Sequence, residues 1–309
     1  MNIPEIQEIS DEFINSTSLK TQKNPISLWG TVPNAPAHMG IDKFIFFQRR
    51  LIQSQFEHII ILDDCEMLKD EFYSKKIEYY HHLFKISNID TAKIVLTSNL
   101  RNKSGYLDDF KQLCKVAKLN NLRKALKDSK SNPSLEFILN PIYQIVDALH
   151  LNIDLAFGAF AQRRVYMQAR ELCKRLERKV LACCFITLTK DINGDLLMNS
   201  TSKTRISLHE TKKSLLNKIN RIAIHRSIKD TIAWDLFDYS ILPYSKGISF
   251  DDRKISCAQE IEDLINNGKV LPEMVRQVLF VELSKRLELI EAQFPHTMIS
   301  WIDTRRFII

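Results

Sequence analysis

The sequence predicts an α/β protein: a parallel sheet with crossover helices, followed by a small all-helical C-terminal part. Two observations carry this. Short apolar, β-branched runs alternate with stretches of helical spacing from Pro25 to Leu188, and beyond Thr211 the pattern turns helical with no strongly β-branched run. The first strand is Pro25–Gly30, an apolar run ending in glycine. Met39–Gln53 places Ile41, Phe44, Phe46, Phe47 and Leu51 at helical spacing, and Glu57–Leu62 reads as a buried strand ending at Asp63–Asp64. Phe72–Ile86 is helical and Ala92–Thr97 is a third strand. Two long helices follow, about Tyr106–Asp128 and Leu135–Leu149. Ile153–Phe157 is a short strand, Gln162–Leu176 a basic helix and Lys179–Leu188 a strand. Leu208–Ile222, Cys257–Asn267 and Pro272–Phe294 are the later helices. The expected organisation is a polar tail or short helix over 1–24, a nucleotide- and amino-acid-binding domain over 25–212, and a helical domain over 213–309.

Of 309 residues, 45% are hydrophobic and 26% charged, the proportions of a globular protein with a sizeable core. The longest apolar run falls far short of the roughly 20 residues a membrane helix needs, so no membrane partner is expected. The N-terminus has no apolar secretory segment, and the six cysteines show no CxxC spacing. A reducing cytoplasm is therefore the expected location, with neither disulfides nor a protein-held metal. The balance of 44 basic against 37 acidic residues, +7, tilts toward an anionic partner. His81–His82 lack an obvious carboxylate or cysteine partner, and Cys183–Cys184 sit in a buried-strand pattern.

Glycine is scarce, seven where about 22 would be average, so its positions carry information. Ligands of parallel α/β sheets bind at the carboxyl ends of the strands. That directs attention to Gly30–Gly40, Asp64 and Gly158–Gln162. The segment GTVPNAPAHMGI (Gly30–Ile41) runs from a strand end through a proline loop to His-x-Gly at a helix start, which suits a phosphate or an ordinary strand–loop–helix.

Gly30, Pro33, His38, Met39 and Gly40 match the HIGH signature, and Asn140–Leu172 matches a second, gapless stretch. There Pro141, Ile142, Gln144, Asp147, Leu151, Asp154, Gly158, Gln162, Arg163, Met167, Ala169, Arg170 and Glu171 agree in type and spacing. On these residues the chain resembles the class I tyrosyl-tRNA synthetases of the archaeal and eukaryotic type, as a divergent member. The resemblance spans about residues 25–290.

The resemblance implies a Rossmann-type catalytic domain, a homodimer, and ATP-dependent activation of tyrosine or a tyrosine-like aromatic amino acid. Transfer to tRNA or another acceptor follows, with Mg²⁺ arriving alongside ATP. It assigns His38 and Lys203 to catalysis. Gly30, Pro33, His38, Gly40, Gly158, Ser200, Ser202 and Lys203 fall to ATP. Leu28, Asp64, Asn140, Gln144, Asp147 and Gln162 fall to the amino acid. Asp147 would accept the hydrogen bond of a substrate phenol, and Gln144 and Gln162 would hold its α-amino group.

The departures fall in the site. Ile41 replaces the second histidine of HIGH; Leu28 and Asn140 stand where the family has tyrosines. In the KMSKS-like stretch Leu197–Lys203, Leu197 occupies the first lysine's place, and Lys203 or Arg205 would have to reach the phosphates. Met274 replaces an anticodon-reading aspartate. Basic residues on two helices (Lys111 to Lys127, and Arg163 to Lys179) are compatible with tRNA or with a solvated face; DNA is not expected. The reading leans toward an enzyme; the alternative is a non-catalytic synthetase paralogue that binds a ligand, tRNA or protein.

Overall fold

In the computed structural model the described residues are 3–20, 22–126, 133–194, 198, 202–225, 227–245, 247–250, 253–295 and 298. The chain divides into two compact units. The first comprises Met1–Pro33, Phe47–Glu71 and Asn88–Thr187; the second comprises Asn34–Phe46, Phe72–Ser87 and Leu188–Ile309. Among the described residues, no helix is long and apolar enough to cross a membrane.

The first unit is built on a six-stranded sheet of order β1-β6-β5-β2-β3-β4. Its strands are β1 (Glu12–Ile14), β2 (Ile26–Thr31), β3 (Glu57–Leu62), β4 (Lys93–Leu96), β5 (Leu155–Ala159) and β6 (Ala182–Ile186). Strands β2 to β6 pair in parallel, as the alternation of strands and helices demands. Strand β1 is antiparallel to β6 and lies within the segment expected to be a tail or short helix. Only three residues long, it is too short to show a two-residue period, yet Phe13 and Ile14 align with Cys184 and Cys183. The helix α1 (Ile3–Ile9) before it buries Ile3 and Ile6.

Side chains alternate across the sheet. Leu28, Ile59, Ile61, Ala156, Cys183 and Phe185 face one side, where Ile142, Ile145 and Val146 of α7 (Leu135–His150) meet them in one core cluster. Helices α5 (Tyr106–Val116), α6 (Leu119–Ala125) and α8 (Arg163–Arg175) complete that layer. Each fully buried aliphatic or aromatic side chain contributes about 1.5–3 kcal/mol. The helix expected over Tyr106–Asp128 is broken in two. Ala117 and Lys118 are extended, so that the adjacent Val116 and Ala117 both pack on the core. The paired Cys183 and Cys184 are both buried, and burial pushes each thiol up to about 12.

Helix α2 (Ile41–Gln53) contributes residues to both units. In the first, Phe47 stacks on Phe157 of β5 with ring centroids 5.4 Å apart.

The second unit is mainly helical. It contains α3 (Tyr73–Ile86), α9 (Lys212–Asn220), α10 (Ile232–Asp235), α11 (Ala258–Asn266) and α12 (Pro272–Gln293). The expectation that no strand recurs after 211 is corrected by a small antiparallel hairpin, β7 (Ile248–Phe250) with β8 (Arg253–Ile255). The helix expected from Leu208 starts only at Lys212. Thr211 caps it by accepting from Ser214 N–H, while the preceding backbone bonds elsewhere: Leu208 N–H to Ala37 O, and Met39 N–H to Ile206 O. Arg286 of α12 meets Asp42 at 2.6 Å and lies 3.4 Å from the Tyr244 ring; both partners of the ion pair are buried.

Candidate active site

At the carboxyl ends of β2 and β3 the first unit encloses a cavity of about 80 Å³. It is lined by Leu28, Gly30, Thr31 and Val32 from β2 and its exit, and by Ile61 and Asp63 from β3. Thr97 opens α4 (Thr97–Arg101); Gln144 and Asp147 come from α7; Gln162 and Tyr166 come from the start of α8. Gln144 and Asp147 are three positions apart, hence on one helical face. Leu28, Gly30, Gln144, Asp147 and Gln162, assigned to ligand from the sequence, are thus brought together.

Asp147 is 4% exposed. Its Oδ1 accepts the Tyr106 hydroxyl at 2.5 Å. Burial pushes its carboxyl up to about 6, against the opposing pull of the Tyr106 hydrogen bond and the Arg101 charge; the nearby Asp63 charge adds to the rise. Gln144 donates Nε2–H to Asn140 Oδ1 at 3.4 Å, while its Oε1 is buried with no partner among the described residues. Gln162 Oε1 accepts from Ala159 N–H at 3.3 Å. A Cβ at Gly158 would come within 2.4 Å of that oxygen, so glycine here leaves room for the Gln162 amide. At Gly30 an added Cβ would make only ordinary contact with Ile61.

Two residues expected to hold the amino acid, Asp64 and Asn140, do not line this cavity. Asp64 is fully buried and serves the start of α4. Its carboxylate accepts from Ser98 N–H at 2.8 Å and Ser98 Oγ–H at 2.6 Å. Asn140 lines an adjoining cavity of about 200 Å³ with Asp63, Cys65, Arg101 and Tyr143. Asp63, two positions after Ile61 and therefore on its side of the strand, lines both cavities; the two-residue period of β3 carried that signal. Arg101 approaches Asp63 at 3.6 Å and lies over the Tyr143 ring at 4.4 Å. Pro33 is buried and does not line the cavity.

The second unit holds the His-x-Gly loop. His38 pairs with Ser207 in an isolated antiparallel bridge, and its Nδ1 accepts Gly40 N–H at 3.1 Å. Burial, reinforced by the Arg205 charge, lowers His38 to about 4, so the imidazole is neutral near pH 7. A Cβ at Gly40 would lie 2.8 Å from the His38 ring. Tyr79 supports this loop: its hydroxyl accepts Ala37 N–H at 3.2 Å and lies 3.0 Å from His209 Nε2. Ser202 Oγ is 2.5 Å from Thr204 Oγ1, and Thr204 donates to Asp191. Lys203 is exposed; Arg205, the other cation considered for the phosphates, is the one whose charge reaches His38. Leu197 and Ser200 lie outside the described residues, as does Lys127. Ile41, in the place of the second histidine, is buried.

Basic side chains on α8 and just beyond its end are partly engaged: Arg163 with Glu12, Arg175 with Glu171 and, after the helix, Arg178 with Asp109. Lys111, Lys115, Lys118, Arg123 and Lys124 are exposed along α5 and α6. His82 binds the Gln293 carbonyl at 2.7 Å.

A mostly parallel sheet with a polar cavity at its strand ends, in a chain that also carries a mainly helical unit, is the architecture of a class I aminoacyl-tRNA synthetase. The family model for class I tRNA synthetases (W and Y) matches residues 20–288, and the chain belongs to that family, as a tyrosyl-tRNA synthetase-like member. A tyrosine–tRNA ligase of Methanobrevibacter smithii is 25% identical over 222 residues, covering 68% of this chain and 70% of that one. The tyrosyl-tRNA synthetase of Archaeoglobus fulgidus, solved with L-tyrosine, superposes with a TM-score of 0.84 at 22% identity, covering 94% of this chain and 99% of that one. That of Aeropyrum pernix reaches 0.87 at 16% identity, covering 98% and 99%. At these identities the structural likeness speaks for the fold.

Proposed function

We propose that the chain binds an aromatic amino acid of the tyrosine class and activates it with ATP, giving an aminoacyl adenylate and pyrophosphate. The observation that carries this reading is the meeting of Gln144, Asp147 and Gln162 on one cavity. Two amides suit an α-ammonium group and a buried carboxylate suits a ring-bound donor; a site built around such a bond discriminates against ligands lacking the donor. His38, neutral and held by Gly40, can offer its other ring nitrogen to a phosphate oxygen. Lys203 or Arg205 would supply the cation for the leaving pyrophosphate, and Mg²⁺ would arrive with ATP. A homodimer and a tRNA acceptor belong to the same proposal, the exposed lysines of α5 and α6 being candidates for the phosphate backbone.

A second reading, a ligand-binding paralogue without adenylation, draws support from buried Ile41 where the family has its second histidine, because an aliphatic side chain offers no hydrogen bond to phosphate. Pyrophosphate exchange into ATP, run with a panel of tyrosine analogues with and without tRNA, separates the two. Exchange with any of them supports activation. Amino-acid binding without exchange supports the paralogue.

A further inference from the structure

Asp63 gives the cavity a second carboxylate. One of its oxygens, Oδ1, lies 2.8 Å from the Thr97 hydroxyl and 3.6 Å from Arg101. Thr97 has only one proton to share between Asp63 and Asp64, whose Oδ1 is 2.9 Å away. Asp147 spends its Oδ1 on Tyr106. Among the described residues, neither Asp63 Oδ2 nor Asp147 Oδ2 has a hydrogen-bond partner. Leu28, at the same wall, offers neither donor nor acceptor. The polar part of the lining is therefore rich in acceptors, while Leu28, Val32 and Ile61 provide the apolar surface for a ring. A phenol has one proton and can satisfy one of the two carboxylates; the other would be covered unmatched, which is unfavourable.

We propose that Asp63 is a specificity-determining residue, and that the cavity takes an aromatic amino acid whose ring carries two adjacent hydrogen-bond donors, of the catechol or aminophenol class. One donor meets Asp147 and the other Asp63. This rests on the amino-acid reading of the cavity given above. Both carboxylates line the one cavity, and the charge of Asp63 adds to the rise of the Asp147 carboxyl.

Calorimetric titration of the full chain with L-tyrosine, 3-amino-L-tyrosine and 3,4-dihydroxy-L-phenylalanine tests the assignment. At least one two-donor ligand is expected to bind about tenfold or more tightly than tyrosine, the scale of one hydrogen bond to a charged group. Asp63→Ala, and the isosteric Asp63→Asn should the first not fold, are expected to shrink that advantage to about twofold or less, with tyrosine binding more tightly because the unmatched carboxylate is gone. Tyrosine binding as well as both two-donor ligands, or an advantage that survives the Asp63 substitution, overturns the role of Asp63 and leaves the amino-acid reading standing. Failure of all three ligands to bind overturns the amino-acid reading itself, and this inference with it.

Discussion

The Tyr106 hydroxyl donates to Asp147 Oδ1 at 2.5 Å, so a phenol of the protein's own already occupies half of the carboxylate assigned to the ligand's ring. Both side chains are buried. Tyr106→Phe removes this donor, which also opposes the burial-driven rise of the Asp147 carboxyl. The variant should lose about 1–2 kcal/mol of stability in urea unfolding. Its Asp147 carboxyl should titrate above the wild-type position near 6, read by carbon NMR of labelled aspartate. An unchanged titration would contradict the geometry.

A pH profile of stability follows from the same carboxyl. Held at about 6 chiefly by burial, Asp147 keeps a proton that the unfolded chain surrenders near the usual 3.8. The folded state thus binds more protons between about 4 and 6, so this group's contribution to stability falls as pH rises through that window and is flat above it. The total is on the order of 3 kcal/mol. His38 acts with the opposite sign. Lowered to about 4 by burial and then by Arg205, it stays neutral where the unfolded chain's imidazole protonates, so its contribution is lost as pH falls from about 6.5 to 4. Subtracting the urea profile of Asp147→Asn from that of the wild type isolates the first slope.

What could be read before the structure was local or periodic. Strand β3 was legible because EHIIIL is β-branched and bounded by polar residues. The face shared by Gln144 and Asp147 followed from three-residue spacing on a helix. Tyr106 was not legible as their neighbour, because it lies 41 positions before Asp147 and only the packing of α5 on α7 brings them together. Asp63 and Asp64 look alike in sequence, and strand parity decides which faces the cavity and which caps α4. The edge strand β1 was hidden by its three-residue length.

In the second unit, Arg286 and Asp42 form a buried ion pair at 2.6 Å. Arg286→Leu strips Asp42 of its guanidinium and should cost about 3–5 kcal/mol. The double variant Arg286→Leu/Asp42→Asn should recover part of that loss, because the uncompensated charge is gone. Thermal unfolding of the wild type, Arg286→Leu, Asp42→Asn and the double variant measures the coupling; additive losses would contradict a direct pair.

Gly158→Ala should separate binding from folding. The added Cβ would meet Gln162 Oε1 at 2.4 Å and Gln162 Cδ at 3.4 Å. Both atoms belong to the far end of a flexible side chain, and the Gly158 backbone does not require a left-handed conformation. The Gln162 amide can therefore swing away at little cost to the fold, giving up its bond from Ala159 N–H. Loss of stability should stay within about 1 kcal/mol, the scale of one neutral hydrogen bond. The displaced amide no longer faces the cavity, so amino-acid affinity should fall about tenfold, matching the fall in Gln162→Ala. Equal Kd values for the wild type and Gly158→Ala, measured by calorimetry, would show that Gln162 takes no part in holding the ligand. A large drop in melting temperature would instead show that the strand cannot accept the methyl group.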